Sequence, residues 1–300
     1  MVTVYNTVTY FLFLSLIKRM YRQIFKVIIL FFITSFLTEG VSKAQGIGHY
    51  KGDESKLYAE TKQFTQFIKR FNNEEDMNGQ PYSSGSYKFR ELTMRKKYLE
   101  VLFDGENSNL TNKLKKDFIN DVNDKKAPKF FEKHQGGYFA EVETRYLYKG
   151  KNINVTLFLR LQADSLGYKW AIFDVYSDML QGLHKNDKSK KNFLHPMSHE
   201  IDFMNLHRAF RDPNEVEDYG VNGYEIDYLS VLFYLAKSGD LTFVTVNNVK
   251  FHVFQIAGWY FSVEKFERDS YNSGWMISEL MPLKNEDMDV WTRHVLHKDQ

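Results

Sequence analysis

Asp164-Ser165-Leu166-Gly167-Tyr168-Lys169-Trp170-Ala171-Ile172-Phe173-Asp174 recurs later in the chain as Asp269-Ser270-Tyr271-Asn272-Ser273-Gly274-Trp275-Met276-Ile277-Ser278-Glu279. Each stretch is a polar turn that feeds an apolar/polar alternation ending in an acid, the pattern of a turn followed by a strand. A second echo lies upstream. Phe64, Phe67, Ile68 and Phe71 form the i, i+3, i+4, i+7 stripe of an amphipathic helix, and Phe203, Leu206, His207 and Phe210 repeat the spacing. The repeat predicts an α+β protein of two tandem cone-like domains, each with helices packed on a curved antiparallel sheet.

Working outward, residues 57–75, 89–103 and 110–122 carry helical patterns rich in Lys and Glu on their outer positions. After Gly136-Gly137 the period changes to two. Val142, Thr144, Tyr146 and Tyr148 alternate with Glu141, Glu143, Arg145 and Leu147, Lys149-Gly150 turns the chain into a strand over 153–161, and a third strand follows over 168–176. The second unit reads as helices over 203–210 and 224–237, then strands over 241–246, 249–256, 259–266 and 275–280. Expected boundaries are therefore a first domain at 50–180, a Lys-rich linker at 181–192, a second and shorter domain at 193–283, and a polar tail at 284–300 that is loosely helical or frayed.

The amino terminus reads as an export signal. From Met20 a basic stretch with Arg22 and Lys26 precedes an apolar run over 27–37, then Ser42-Lys43-Ala44 offers small residues for cleavage before Gln45. A run of that length rises only about 16 Å as a helix, about half a bilayer core, which favours a signal peptide at 20–44 over a permanent anchor. Residues 1–19 read as an over-extended start. The chain has no cysteine, which excludes disulfides, thiolate metal sites and lipid attachment at a cysteine. The first 44 residues hold five of the 40 basic residues and one of the 38 acidic ones, so the remainder carries 35 against 37. That balance gives no electrostatic footprint for nucleic acid. The expected location is periplasmic or secreted, with membrane attachment only through an uncleaved leader.

Helices followed by a curved sheet whose last strand carries Trp, in the repeated Asp-Ser-x4-Trp-x-Ile pattern, resemble the cone-shaped domains of the nuclear-transport-factor-two-like superfamily, which includes ketosteroid isomerase and polyketide cyclases. The resemblance covers about 50–180 and 193–283. It implies a first helix lying across the concave sheet face and a cavity there that binds small hydrophobic molecules or is filled in. The family has no universal catalytic motif, and no catalytic residue maps onto this chain.

Chemical motifs are sparse. Ser198-His199-Glu200-Ile201-Asp202-Phe203 approaches the zinc-protease helix, but Phe203 stands where the second histidine belongs, and Pro196 sets His195 apart from His199. No metal and no cofactor is expected. His207 takes the place of Ile68 in the second stripe and is expected to face the sheet, either as a satisfied core histidine or as the polar group at the base of an apolar pocket. On the second reading His252, Trp259, Trp275 and Phe203 line the pocket with it; on the first, the rings simply fill the core. The function these features suggest is an exported, non-catalytic binding or interaction protein of the bacterial envelope, for a small apolar ligand or a protein partner. A membrane-attached scaffold of a secretion or conjugation system is the second class, and an isomerase-like or cyclase-like enzyme the third. Mass spectrometry of the protein from a periplasmic extract is expected to find the amino terminus at Gln45; a product that keeps residues 27–37 in the membrane fraction would refute the leader reading.

Overall fold

Strand pairing decides the architecture. The computed structural model describes residues 63–165, 167–183, 204–213, 216–221 and 224–298. The expected leader, residues 184–192 of the expected linker, and His195, His199 and Phe203 lie outside them. Helices α1 (Phe64–Asn72), α2 (Leu92–Val101) and α3 (Asn112–Val122) come first, then strands β1 (Tyr138–Tyr148), β2 (Lys151–Asp164) and β3 (Gly167–Tyr176). A short α4 (Asp178–Gln181), 3-10 turns at Met204–Phe210 and Val216–Tyr219, and α5 (Tyr228–Ser238) lead to β4 (Leu241–Val253), β5 (Trp259–Phe266), β6 (Gly274–Pro282) and α6 (Met288–Val295). The class is α+β.

All six strands form one antiparallel sheet in the order β3-β2-β1-β4-β5-β6. The two meanders do not close as separate sheets, because β1 and β4 pair along nearly their whole length, from Tyr138↔Val253 to Tyr148↔Leu241. Each meander on its own would leave the edge of its first strand unpaired, and each satisfies the other's. β4 also corrects the sequence reading at Asn247-Asn248, where a turn between two strands is expected. The strand runs straight through, and Val244 and Asn247 are left out of the β1 ladder at two bulges.

The repeat appears as a two-fold relation within the sheet. A half-turn about the Ala140–Phe251 pair exchanges β1 with β4, β2 with β5 and β3 with β6, and carries Glu141 onto His252, Ile172 onto Ile277 and Asp174 onto Glu279. Even the bulge is duplicated: Phe173 is skipped between Phe158↔Asp174 and Leu159↔Ile172, and Ser278 between Ser262↔Glu279 and Val263↔Ile277. Trp170 and Trp275 are equivalent in this frame, and both rings meet Phe251, at 5.9 and 5.2 Å. β3 and β4 are three strands apart, a backbone span of about 14 Å. Rings that meet across that span require a sharply curved sheet with this face concave.

The three amino-terminal helices fill the concavity. Phe64 stacks on Phe251 at 3.6 Å, Phe71 on Phe261 at 5.9 Å, and Phe118 meets Trp259 edge-on at 5.2 Å. Phe67, Phe71, Phe118, Phe131 and Phe261 are fully buried, each stabilising by about 1.5–3 kcal/mol relative to exposure. The helices are tied to one another by a buried cation. Arg95 of α2 has no exposed surface and no carboxylate in ion-pair contact among the described residues; its guanidinium donates to the carbonyls of Phe71, Val122 and Lys129 at 2.9, 2.8 and 2.5 Å. Two of those carbonyls belong to the last turns of α1 and α3, where orphan acceptors and the negative dipole end favour a cation. Phe130 lies under the guanidinium at 4.5 Å. Burial, with the Arg90 charge nearby, pulls its pKa down to about 10, so it remains charged at neutral pH.

The opposite, convex face carries Phe139, Phe158, Phe254 and Tyr260, covered by Met288, Trp291 and Val295 of α6. The tail is therefore a docked helix, the helical alternative of the loosely helical or frayed end that the sequence suggests. Residues 102–104 add to the outer edge of β6, with Ile277 N–H donating to Leu102 O at 2.8 Å and Asp104 N–H to Ile277 O at 2.9 Å. Replacing Arg95 by Met is expected to cost about 3 kcal/mol or more in urea unfolding, since three buried acceptors lose a charged donor. Phe251→Ala is expected to cost about 3–5 kcal/mol; a loss below 1 kcal/mol in either variant would refute these roles.

Candidate functional site: a polar groove on the convex face

Strand alternation sends one set of side chains to the convex face: Glu141 from β1, Lys250 and His252 from β4, Tyr260, Ser262 and Glu264 from β5, and Glu279 from β6. All of these but Ser262, together with Trp291, His294 and His297 from α6 and the residues after it, line a groove of about 700 Å³. Asp104, Asn107, Asn109 and Leu110 also line it.

His252 is the centre of the network. It is 3% exposed, its Nε2 lies 2.7 Å from Glu141 Oε2, and its Nδ1 lies 2.8 Å from the Tyr260 hydroxyl. Tyr260 also reaches Glu279 Oε2 at 3.2 Å, and Ser262 Oγ donates to the same oxygen at 3.2 Å. Ser262 and Ser278 share a hydrogen bond of 2.7 Å. Lys250 bridges Glu264 at 3.2 Å and Glu279 at 3.7 Å.

Burial favours the neutral form of Glu141, but the hydrogen bond and charge of His252, with Lys250 and His297 behind it, outweigh burial and lower its pKa. For Lys250 burial works against the charge and Glu264 and Glu279 overcome it, so its pKa rises. Tyr260 is pushed far up by burial and then by the Glu279 charge, and it stays a phenol. An ionised Glu141 only accepts, so His252 Nε2 carries a proton toward it. Tyr260 donates its hydroxyl proton to Glu279 Oε2, and its oxygen lies 2.8 Å from His252 Nδ1. Carboxylates thus end the chain on both sides: Glu279 is half exposed, and Glu141 retains some exposure.

No protein-family model, curated protein or solved structure matches this chain.

The side chains expected to share a pocket are not gathered in one place. His252 alone belongs to the groove. Trp259 and Trp275 lie on the concave side, where Trp259 Nε1 donates to Asp121 at 2.7 Å and Trp275 meets Phe64 at 6.0 Å. His207, expected to be buried toward the sheet, is exposed in the 3-10 turn Met204–Phe210, and Ala209 in the same turn is buried. Phe203 lies outside the described residues. The concave cavity is occupied by the rings of α1 and α3 packed on the sheet. Among the described residues no cluster of three or more His, Asp or Glu is placed to hold a metal ion. The groove's acids and Lys250 are the polar half of the strand alternation and carry no motif of their own.

Because the folded pKa of Glu141 is lowered, its contribution to stability is fully present above the ordinary glutamate value of 4.5 and is lost as the pH falls through the folded value. Glu141→Gln is therefore expected to flatten the acid limb of a stability–pH profile. An unchanged slope below about pH 4.5 would show that the pair with His252 contributes nothing to folding.

Proposed function

We propose that the protein is a non-catalytic binding protein exported to the bacterial envelope, and that its ligand is a small polar molecule held in the convex-face groove. The observation that carries this reading is His252, buried with both ring nitrogens committed, which fixes Glu141 and Tyr260 in place and leaves Glu279 as the accessible acceptor. A group so restrained is suited to orienting a ligand. The groove mixes Trp291, Leu280 and Met281 with its charges, so it fits a ligand with hydrogen-bonding groups beside an apolar portion. Export rests on the leader reading of residues 20–44, and the absence of cysteine is compatible with it. No helix among the described residues is long and apolar enough to cross a membrane. The likeness to the nuclear-transport-factor-two-like cones is retained as a proposal about architecture, supported by helices lying across a curved sheet. Its ligand cavity is not carried over, because aromatic side chains occupy that side.

One observation favours a second reading, an enzyme of the isomerase or cyclase type. The path Glu141–His252–Tyr260–Glu279 links two carboxylates through exchangeable protons, which is what proton transfer between two substrate positions needs. A thermal-shift panel of amino acids, amines, nucleosides and sugars, with steroids and fatty acids alongside, separates the readings. Stabilisation by a polar compound is expected, with about tenfold weaker binding in Glu279→Gln through loss of a charged acceptor. Shifts from steroids or fatty acids alone would overturn the groove assignment, and turnover of a bound compound would establish the enzyme.

A further inference from the structure

Charge in the convex-face groove is unbalanced. Its lining holds four carboxylates, Asp104, Glu141, Glu264 and Glu279, against one ammonium, Lys250. Arg268, outside the lining, meets Asp104 at 2.8 Å. Lys250 lies 3.2 Å from Glu264 and 3.7 Å from Glu279, one cation for two acids. Among the described residues the only ion-pair partners of Glu141 are the imidazoles of His252 and His297. Four acids less Lys250 and Arg268 leave two without a permanent cation. Glu141, with its pKa lowered, stays ionised at neutral pH, and Lys250 stays charged.

Hydrogen bonding repeats the imbalance. The hydroxyls of Tyr260 and Ser262 are spent on Glu279 Oε2, and His252 Nε2 on Glu141 Oε2. The other oxygen of each acid is left over. Glu279 Oε1 comes no closer than 3.7 Å to Lys250, and Glu141 Oε1 lies 4.0 Å from His297, so among the described residues neither accepts a hydrogen bond. A ligand that brings both donors and positive charge answers both deficits. An anion would add a fifth acid and no donor. Leu280, Met281 and Trp291 line the same groove, which suits hydrocarbon beside the cation, and the face of a tryptophan ring attracts one.

We propose that the groove selects an organic cation, an alkyl- or arylammonium group that donates to Glu279 in the field of Glu141 and Glu264 and lays its hydrocarbon on Leu280, Met281 and Trp291. The proposal rests on the groove being the ligand site. Lys250 competes with such a ligand for Glu279. Were the ligand an anion, Lys250 would be its partner instead, so the two signs of ligand demand opposite effects from this one side chain.

Isothermal titration calorimetry with two matched sets of probes tests it: 2-phenylethylamine, 2-phenylethanol and 3-phenylpropanoate, and hexylamine, hexanol and hexanoate. At about pH 8, where an ordinary imidazole is neutral, each amine is expected to bind at least about tenfold tighter than its alcohol. That factor is what one charge-assisted hydrogen bond supplies at an acid 51% exposed. The carboxylates are expected not to bind by about 10 mM. Lys250→Met is expected to tighten the amines about threefold and Glu264→Gln to loosen them as much, with the alcohols unchanged; a structural role alone would move amine and alcohol together. Nα-acetyl-lysine amide separates two sources of the same cation: weaker binding than hexylamine supports a free amine, and tighter binding supports a lysine side chain of a peptide. Alcohols or carboxylates that bind as tightly as the amines, in a manner still sensitive to Lys250→Met or Glu264→Gln, would overturn the cation and leave the groove as the site. Binding indifferent to both substitutions, or no binding in either set by about 10 mM, would overturn the groove reading and the proposal with it.

Discussion

The antiparallel pairing of β1 with β4 is the constraint on which the other features depend. It makes one curved sheet from two meanders and brings both repeated tryptophans onto Phe251. It also sets Glu141 diagonal to His252, close enough for a 2.7 Å hydrogen bond although the two residues are far apart in sequence. Neither the concave core nor the convex groove exists within one meander. Each is built across the junction, so a change that loosens β1 from β4 would disturb packing and site together.

A second restraint acts on the helical layer. Apolar rings of α1 and α3 define how deep the helices sit, but rings are tolerant of rotation. Arg95 is not, since a planar fork that donates to two helix ends and a loop fixes their relative positions. Phe103 and Asp104, extending from α2 onto β6, then connect this layer to the edge of the sheet. The aromatic face that the helices present to Phe251 is held in register from both ends.

Local patterns were legible in the sequence, and partners were not. The turn, Trp and terminal acid of the repeat are written in adjacent residues, and they mark equivalent strands in the fold. Lys149-Gly150 reads directly as a two-residue hairpin turn, and both residues have positive φ. Period-two alternation does not say which strand lies next to which, so the junction of the halves was invisible. Asn247-Asn248 carries a turn signal that β1 overrides by pairing along the whole strand. Phe203, Leu206, His207 and Phe210 have the spacing of an α-helical stripe, but the described part of that segment winds as a 3-10 helix, whose 3.0-residue turn rotates position i+4 off the face. Met288, Trp291 and Val295 do have helical spacing, masked by the charges between them. The groove was hidden for a different reason: Glu141, Lys250 and Glu279 look like the solvent side of a sheet until α6 covers it.

The duplicated bulge has a consequence for how the two halves came to differ. In one half the bulge and its neighbour are Phe173 and Phe158, whose rings lie 6.5 Å apart; in the other they are Ser278 and Ser262, joined by a hydrogen bond. The same backbone irregularity is plugged with hydrocarbon on one side of the axis and lined with hydroxyls on the other. A single meander associating with its own copy would have had to use one filling twice, giving two grooves or none. Within one polypeptide that restriction is absent, because each half mutates alone. The chain retains the geometry of a symmetric pair while its two bulges differ, with aromatic rings at one and hydroxyls at the other.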